Sequence, residues 1–572
     1  MADETANDEI LAAAPDWPLR PWLLAGLLGL AGLLIHLVTL GNDDVPWQMA
    51  LAAFLFFGAI AAAFTLERGR WKQPAVFAAA VGLVMAGLAW RAVQYGEYLS
   101  DEQYGFAAGV VATALALPLF QAGFHRRRFA TPYAEVYGHV WTDAISAAGA
   151  LAFTGLSWIV LALMSELFHL LKIDLLRDLM DEGEFGWAFS GMAAGAALGT
   201  IRNQLKVLAT MQTVVLLVAS LLAVPLAVGL VIFLLATAVS GPQVLWDATR
   251  SATPLLLACA AGAFVLTNAV ARQSDEAMTG SRVMRVAALV LAAVILPLAV
   301  FAAVSMGLRI GQYGLAPERL WGLVAIAVAC VCGVGYWSAL ARGRKGGWAG
   351  HVRKATFHLG LGVCVLALVL ALPVFDFGAI STRNQLARLE SGKVPIEEFD
   401  FSALRWDFGE SGHRALQRLA KGGNAKVAEL AEAALAQSQR VYGYGEPLRA
   451  ESDFDLTVQP DSPELRALVL AHLKGNAWQC RERCVALDLG AADGGGRRVA
   501  ILQGAGYTEL LLKPGQPGMA PPDVAPAAVP IDENSRIEIR TVPTRYIFVD
   551  GRPLSQPLDK PTAALEGSPP PR

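Results

Sequence analysis

The stretch VLATMQTVVLLVASLLAVPLAVGLVIFLLATA, residues 207–238, contains no charged side chain. A helix needs about 20 apolar residues to cross the roughly 30 Å hydrocarbon core of a bilayer, so this stretch is long enough to span one. Pro225 interrupts it and leaves two interpretations open, namely one kinked helix or two short re-entrant segments. Either interpretation places the chain in a lipid bilayer.

Ten further apolar stretches lie on both sides of this one. The composition agrees, because 55% of the 572 residues are hydrophobic and only 17% are charged, which is unusual for a soluble protein. The sequence therefore predicts an all-α polytopic membrane bundle of about 11 transmembrane helices within residues 22–375. The predicted spans are residues 22–40, 47–66, 74–90, 104–124, 141–171, 185–201, 207–238, 252–270, 286–308, 320–341 and 356–375.

The N-terminal tail, residues 1–21, is acidic before the first span. Asp3, Glu4, Asp8 and Glu9 are unlike the basic start of a cleavable signal peptide, so the first span is interpreted as a retained signal anchor. The whole chain carries a net charge of -3, with an isoelectric point near 6.3. This balance offers no basic field for nucleic acid, and the predicted partner is the lipid bilayer.

Lys and Arg alternate between the loops in a way that predicts orientation. Loops after even-numbered spans hold 16 of these residues, whereas loops after odd-numbered spans hold 6. Basic residues favour cytoplasmic loops, so the N-terminus is predicted to be cytoplasmic. Eleven crossings would then place the C-terminal tail in the periplasm, with the protein in a bacterial inner membrane. Residues 185–201 and 207–238 decide this parity, because one crossing more or fewer would reverse the tail.

Six cysteines divide between the spans and the tail. Cys480 and Cys484 are the only two in the tail, and a lone pair in an oxidising compartment is typical of a disulfide. Free thiols are the next interpretation, and a metal site would need further ligands at a suitable spacing. The other four are expected to act as small apolar side chains within spans: Cys259, Cys330, Cys332 and Cys364.

The polar tail predicts a helical membrane-proximal region, residues 376–450, and a small soluble α+β domain, residues 451–555. An amphipathic helix is expected near residues 422–438, and Ser462 followed by Pro463 marks the start of a short helix ending at Leu473. Residues 514–530 are Pro- and Ala-rich and predict a loop, and residues 556–572 predict a disordered tail. Strand-like runs are Val485–Leu489, Arg498–Leu502, Thr508–Leu512, Arg536–Thr541 and Arg545–Val549, with hairpin turns at Asp493-Gly494 and Asp550-Gly551.

Three groups of motifs resemble those of a known family. They are HVWTD at 139–143 with FTGL at 153–156; RIGQYGL at 309–315 with Glu318-Arg319; and ISTRNQ at 380–385 with SGKV at 391–394. In these motifs the chain resembles the bacterial membrane proteins grouped under domain of unknown function 4153, over residues up to about 420. The resemblance implies a multi-pass membrane fold and location, and it supplies no catalytic residue.

Ionisable residues inside spans are costly and are candidates for function. Glu166 and His169 stand three residues apart, on one helical face, where they could move protons, hold a metal, or form an ordinary interfacial pair. His36 lies deep in the first span and could relay protons or simply bond to a neighbouring helix. Asp143 opens the fifth span, where a carboxylate also complements the helix dipole.

Two further features concern surfaces and packing. The loop that carries Arg309, Gln312, Tyr313 and Arg319 is a candidate interaction site, or else a tight turn with its tyrosine at the membrane interface. Glycines recur every four residues in the sixth span, which predicts close helix packing within the chain or self-association: Gly191, Gly195 and Gly199.

The sequence does not reveal an activity. It holds no nucleotide-binding, serine-hydrolase, zinc-protease or kinase motif, and no cofactor or metal is predicted. The leading hypothesis is a non-enzymatic envelope protein that acts as a scaffold, sensor or assembly component, with other envelope proteins as further partners. A transporter or permease would require broken helices and a midplane cavity. A membrane enzyme acting on lipid or glycan would require clustered polar residues at one face.

Overall fold

A computed structural model gives the structure of this protein. It describes residues 17–41, 45–100, 102–241, 252–437, 454–476, 479–480, 483–492, 496–503, 506–513, 516–519, 545–549 and 551–557. The chain divides into two compact units, residues 1–381 and 382–572.

The first unit is a bundle in which every predicted span is a helix. Prolines stand in the first turn of several of these helices, where the missing N–H costs nothing. Short helices, Phe124–Arg127 and Leu175–Asp181, occupy two of the connections. The long helices are α1 Arg20–Thr39, α2 Pro46–Thr65, α3 Lys72–Tyr95, α4 Glu102–Gln121, α5 Tyr133–Leu170, α6 Gly183–Asn203, α7 Leu205–Ser240, α8 Thr253–Ala271, α9 Arg282–Tyr313, α10 Pro317–Arg342 and α11 Trp348–Ala371.

Within the described residues, ten of these helices are long and apolar enough to cross a membrane, and α6 is the exception. Yet α6 runs antiparallel to α1 along its whole length. Gly191 lies against the Leu28 carbonyl and Gly195 against the Leu24 carbonyl, one helical turn apart. Close packing at the glycines is therefore confirmed, within the chain. Helix α6 is therefore a tightly packed partner of α1, although it is less apolar than the ten candidate spans.

Helix α7 answers the question raised by Pro225. The structure has one continuous helix of 36 residues through this proline, and not two re-entrant segments. A proline removes only one helical hydrogen bond, and apolar neighbours on both sides keep the rest of the helix favourable in lipid. The broken helix that would have favoured a transporter is thus not found at this position.

Apolar side chains fill the bundle in two main groups. The larger core lies among α7 to α11, with Leu291, Ile295 and Leu298 fully buried. A second core joins α1, α2, α5 and α6 around Leu24 and Leu198. Outward-facing side chains are also apolar, as expected for helices that meet lipid. The exposed row on α5 is Leu151, Leu156, Ile159, Val160 and Leu163.

Contacts at the helix ends distinguish the two ends of the bundle. The Asn203 side chain donates to the Trp17 carbonyl at 2.9 Å, which places the start of α1 beside the end of α6. This end also holds the arginine-rich loops, and we call it the basic end. At the opposite end, the Trp321 ring meets those of Tyr104 and Phe377, at centroid distances of 5.7 and 5.2 Å.

The second unit begins with helices and continues into a mixed sheet. The helix predicted near 422–438 is present and is capped by Asn424, whose side chain accepts from the Val427 N–H. The N-cap prediction at Ser462 is confirmed, because its hydroxyl accepts from the Leu465 N–H. The helices are α12 Phe377–Glu390, which begins in the first unit, α13 Phe401–Trp406, α14 Gly409–Leu419, α15 Ala425–Leu435 and α16 Pro463–Gly475.

Five strands form the main sheet in the order β1-β2-β3-β4-β5, and β6 and β7 form a separate hairpin. The first pair is parallel and connected through α16, whereas the following pairs are antiparallel. Helix α16 buries Leu465, Val469 and Leu473 with the sheet's apolar face. The strands are β1 Leu456–Gln459, β2 Cys484–Ala492, β3 Gly496–Gln503, β4 Gly506–Lys513, β5 Gln516–Met519, β6 Tyr546–Val549 and β7 Arg552–Pro557.

The structure differs from the sequence prediction at one segment of this unit. Strand β5 lies within the 514–530 segment that was expected to be a loop, because pairing with β4 extends the sheet into it. The expected disulfide is present, because Cys480 and Cys484 are joined, with their Cα atoms 5.4 Å apart. The predicted strand at 536–541, the turn residues Asp493 and Gly494, and most of the C-terminal tail lie outside the described residues.

Candidate functional site at the basic end of the bundle

The pair Glu166 and His169 lies at the exposed end of α5. The His169 Nδ1 atom contacts the Asp174 Oδ1 atom at 2.5 Å, and both side chains are about half exposed. Glu166 is also exposed. The carboxylate that contacts His169 is therefore that of Asp174, in the segment after α5, and not that of Glu166. Neither Glu166 nor His169 lines the large cavity described below.

His36 is half-buried near the end of α1, where its ring packs against the backbone of Gly183 at the start of α6. This contact leaves no space for a side chain at position 183. The ring thus occupies a packing position between two helices, at the end of the bundle opposite the basic end.

The prediction that Arg309, Gln312 and Tyr313 lie in a loop is wrong. These residues form the last turns of α9, because the helix continues past its apolar part until Gly314, whose φ of 74° ends it. Arg319 donates to the Gly314 carbonyl at 2.6 Å, and its guanidinium stacks on the Tyr313 ring. This geometry caps the helix C-terminus, since an arginine there complements the exposed carbonyls.

A cavity of about 1020 Å³ opens at the basic end. Of the four polar candidates inside predicted spans, only Asp143 lines it. The HVWTD motif also contributes His139 and Thr142 from the first turns of α5. The remaining lining comes from the ends of six other long helices and from the loops that join them. The ionisable and amide side chains are Arg20, Glu67, Arg68, Arg70, Gln73, Gln121, His125, Arg126, Arg127, Glu135, His139, Asp143, Arg202, Asn203, Gln204 and Lys206.

Asp143 is fixed by an amide at the end of α4. The Gln121 Nε2 group donates to the Asp143 Oδ1 atom at 3.3 Å and to the Phe64 carbonyl at 2.8 Å. The other oxygens of this pair, Gln121 Oε1 and Asp143 Oδ2, are buried and accept no hydrogen bond from any described residue. Buried acceptors are normally satisfied, so these two atoms mark a place where a donor is favoured.

Arginines lie beside this pair. Arg202 donates to the Ala63 carbonyl at 2.5 Å, next in sequence to the carbonyl that holds Gln121. Arg20 donates to the Arg202 carbonyl and to the Asn203 side chain, at 3.0 and 3.1 Å. Two guanidinium groups are therefore held at the basic end of the bundle by backbone carbonyls.

The outer part of the cavity is more exposed. Arg127 pairs with Glu135 at 2.7 Å, and Arg126 donates to Gln73. Burial and the neighbouring Arg126 lower the pKa of His125, which favours its neutral form at neutral pH. The lining holds seven Lys and Arg residues against three carboxylates, so the cavity carries an excess of positive charge.

A second polar cluster lies inside the bundle. Asn268 donates to the Tyr336 hydroxyl at 2.6 Å and accepts from Thr356 at 3.0 Å, and the two hydroxyls are 2.9 Å apart. Tyr137 donates to the Asn268 carbonyl at 3.2 Å. These bonds connect α5, α8, α10 and α11, and such a network stabilises helix contacts in lipid.

Taken together, the long apolar helices define an integral, polytopic α-helical membrane protein with a C-terminal α+β unit. The model of the family described as Domain of unknown function (DUF4153) matches residues 24–419, and the chain belongs to this family. The resemblance seen in the sequence motifs is thereby confirmed. Searches of curated proteins and of solved structures gave no significant match.

Proposed function

We propose that this protein is a non-enzymatic component of a bacterial inner membrane, a receptor or assembly scaffold that binds a ligand at its cytoplasmic side. In this proposal the C-terminal α+β unit is exported to the periplasm. The cavity at the basic end carries the proposal, because it combines an excess of positive charge with buried acceptors that no described residue satisfies.

The position of the cavity favours ligand binding over transport of a solute across the membrane. Its lining on α1 to α4, α6 and α7 comes from the helix ends near the basic loops, such as Thr65, Gln121 and Arg202. On α5 it includes residues from Glu135 to Ser146, in the first part of a 38-residue helix. A transporter would need a site that reaches both sides through the midplane.

The basic loops support the orientation. They lie at the cavity end, and Lys and Arg are favoured on the cytoplasmic side. The chain leaves the last long helix, α11, at the other end, where Phe377 packs on Trp321. The disulfide between Cys480 and Cys484 is consistent with export, because an oxidising compartment preserves disulfides.

Accessibility of single engineered cysteines to a membrane-impermeant maleimide tests this proposal. Lys421→Cys, at an exposed turn of the second unit, should react in right-side-out vesicles, whereas Gln273→Cys, between α8 and α9, should react only in inside-out vesicles. Thr142→Cys, inside the cavity, should react like Gln273→Cys. The unchanged chain gives the background from native thiols.

Two results would contradict the proposal. Labelling of Lys421→Cys only from the inside-out orientation would place the C-terminal unit in the cytoplasm. Labelling of Thr142→Cys from both sides of the membrane would indicate alternating access and would favour the transporter.

A further inference from the structure

We infer that the cavity binds a phosphate ester that carries a primary ammonium group, the chemistry of a phosphoethanolamine head group. This inference rests on the proposed binding role of the cavity, but not on the proposed orientation of the chain. Two separate observations lead to it, one for each half of the ligand.

The anionic half follows from the arginines. Arg68, Arg70 and Lys206 line the cavity and form no ion pair with any described residue, and Arg202 is half-buried with its guanidinium held by a backbone carbonyl. A guanidinium presents planar donors that match phosphate oxygens, and its charge persists at every physiological pH. An anion at this place would compensate the excess of positive charge.

The cationic half follows from Gln121 and Asp143. The two amide hydrogens of Gln121 are donated to the Phe64 carbonyl and to Asp143 Oδ1, and its Oε1 atom, which carries no hydrogen, is an acceptor. That oxygen and the Asp143 Oδ2 atom are buried without a donor from the described part of the chain. A primary ammonium has three donors and a positive charge, which suits an amide oxygen beside a carboxylate.

The two halves are adjacent. Arg202 binds the carbonyl of Ala63, and Gln121 binds the carbonyl of Phe64. Consecutive residues of α2 therefore hold the Arg202 guanidinium beside the two acceptor oxygens of Gln121 and Asp143. A single small molecule with opposite charges at its two ends would meet both. A quaternary ammonium lacks N–H donors and could not satisfy the buried oxygens.

The test compares phosphoethanolamine with phosphocholine, using the purified full-length protein in detergent. Both compounds have the same charges, and only the first has N–H donors. Isothermal titration calorimetry should show about tenfold tighter binding of phosphoethanolamine, the effect of hydrogen bonds to a charged group.

Native mass spectrometry with ethanolamine and choline phospholipids distinguishes a free phosphate ester from a lipid head group as the ligand. Preference in both assays means that the head group suffices, and preference among the lipids alone means that the acyl chains are needed as well.

Variants separate the two halves of the site. Asp143→Asn should abolish the preference for phosphoethanolamine over phosphocholine. Gln121→Met should reduce this preference, and it provides the test if Asp143→Asn does not fold. Arg202→Gln should weaken both compounds about equally. Glu166→Gln and Arg177→Gln, exposed positions outside the cavity lining, are matched controls and should bind like the unchanged chain.

Equal affinity of the unchanged protein for both compounds, binding of neither in either assay, or a preference that survives both Asp143→Asn and Gln121→Met would overturn the inference. None of these outcomes bears on the orientation of the chain, which cysteine labelling measures separately.

Discussion

Gly195 lies against the backbone carbonyl of Leu24, with no room for a Cβ atom between them. Backbone cannot give way as a flexible side chain would, so α1 and α6 stay this close only with glycine there. We expect Gly195→Leu to lower the free energy of unfolding by at least the 1–3 kcal/mol, roughly, that overpacking costs. Denaturant titration in detergent measures it. Gly26→Leu, on an open face of α1, is the matched control, and equal stability of the two variants would contradict the packing.

Tyr336 is fully buried and contributes its hydroxyl to the cluster with Asn268 and Thr356. Tyr336→Phe keeps the ring and removes the hydroxyl, so it leaves the Asn268 amide with one partner fewer. We expect a loss of about 0.6 kcal/mol, the average for hydrogen bonds between membrane helices, and at most about 1.7 kcal/mol. Thermal unfolding in detergent provides the measurement. The same change at the exposed Tyr95 should have no effect, and a neutral Tyr336→Phe would show that the cluster adds nothing to stability.

The second unit should lose stability in mild acid through His472. Burial lowers the pKa of this imidazole, and an opposing hydrogen bond from its Nε2 to Gln479 at 2.9 Å does not overcome burial. The unfolded chain then binds a proton more readily, near its ordinary pKa of about 6.5. The contribution of neutral His472 to the free energy of unfolding is therefore fully present above about pH 6.5. It declines as the pH falls from there towards the lower pKa of the folded state.

Urea unfolding of the second unit in the full-length protein, followed between pH 7.5 and pH 5, checks this expectation. The variant His472→Gln removes the titrating group and should lose less stability over the same interval. A variant whose pH dependence equals that of the unchanged protein would show that other groups are responsible.

The disulfide between Cys480 and Cys484 closes a short loop, with a sequence separation of 4. Loop-closure entropy for so few residues predicts about 2 kcal/mol of stabilisation for the second unit. Replacing both cysteines with serine should lower its unfolding free energy by that amount. Alkylation of the unreduced protein, followed by mass spectrometry, should leave both thiols unmodified. Reaction of both would show that the protein matures in a reducing compartment.

The sequence predicted the membrane fold well because apolar length is a strong and local signal. The positions of the helix ends were predicted less accurately. Helix α5 begins at Tyr133, eight residues before the predicted span, and α9 continues to Tyr313, because a helix persists beyond its apolar part until a residue such as Gly314 ends it. The short helix starting at Pro463 was predictable from its cap residue.

The cavity was only partly predictable. Asp143 was identified as an ionisable residue in a span, but the arginines around it counted only as indicators of orientation. Arg20 and Arg202 are 182 residues apart in sequence and meet only through the packing of α1 with α6. Nothing in the sequence alone indicated that Gln121 and Asp143 would leave two buried oxygens in one place.

Helix α5 is 38 residues long, which corresponds to about 57 Å at 1.5 Å per residue. That is nearly twice the hydrocarbon thickness of a bilayer, and only 6% of the apolar window of the helix is buried by the rest of the protein. A long helix held by few neighbours adjusts its tilt to the thickness of the surrounding membrane. Because Asp143 travels with α5 while Gln121 ends α4, the distance between them depends on that tilt. The lipid environment would thereby set the geometry of the cavity floor.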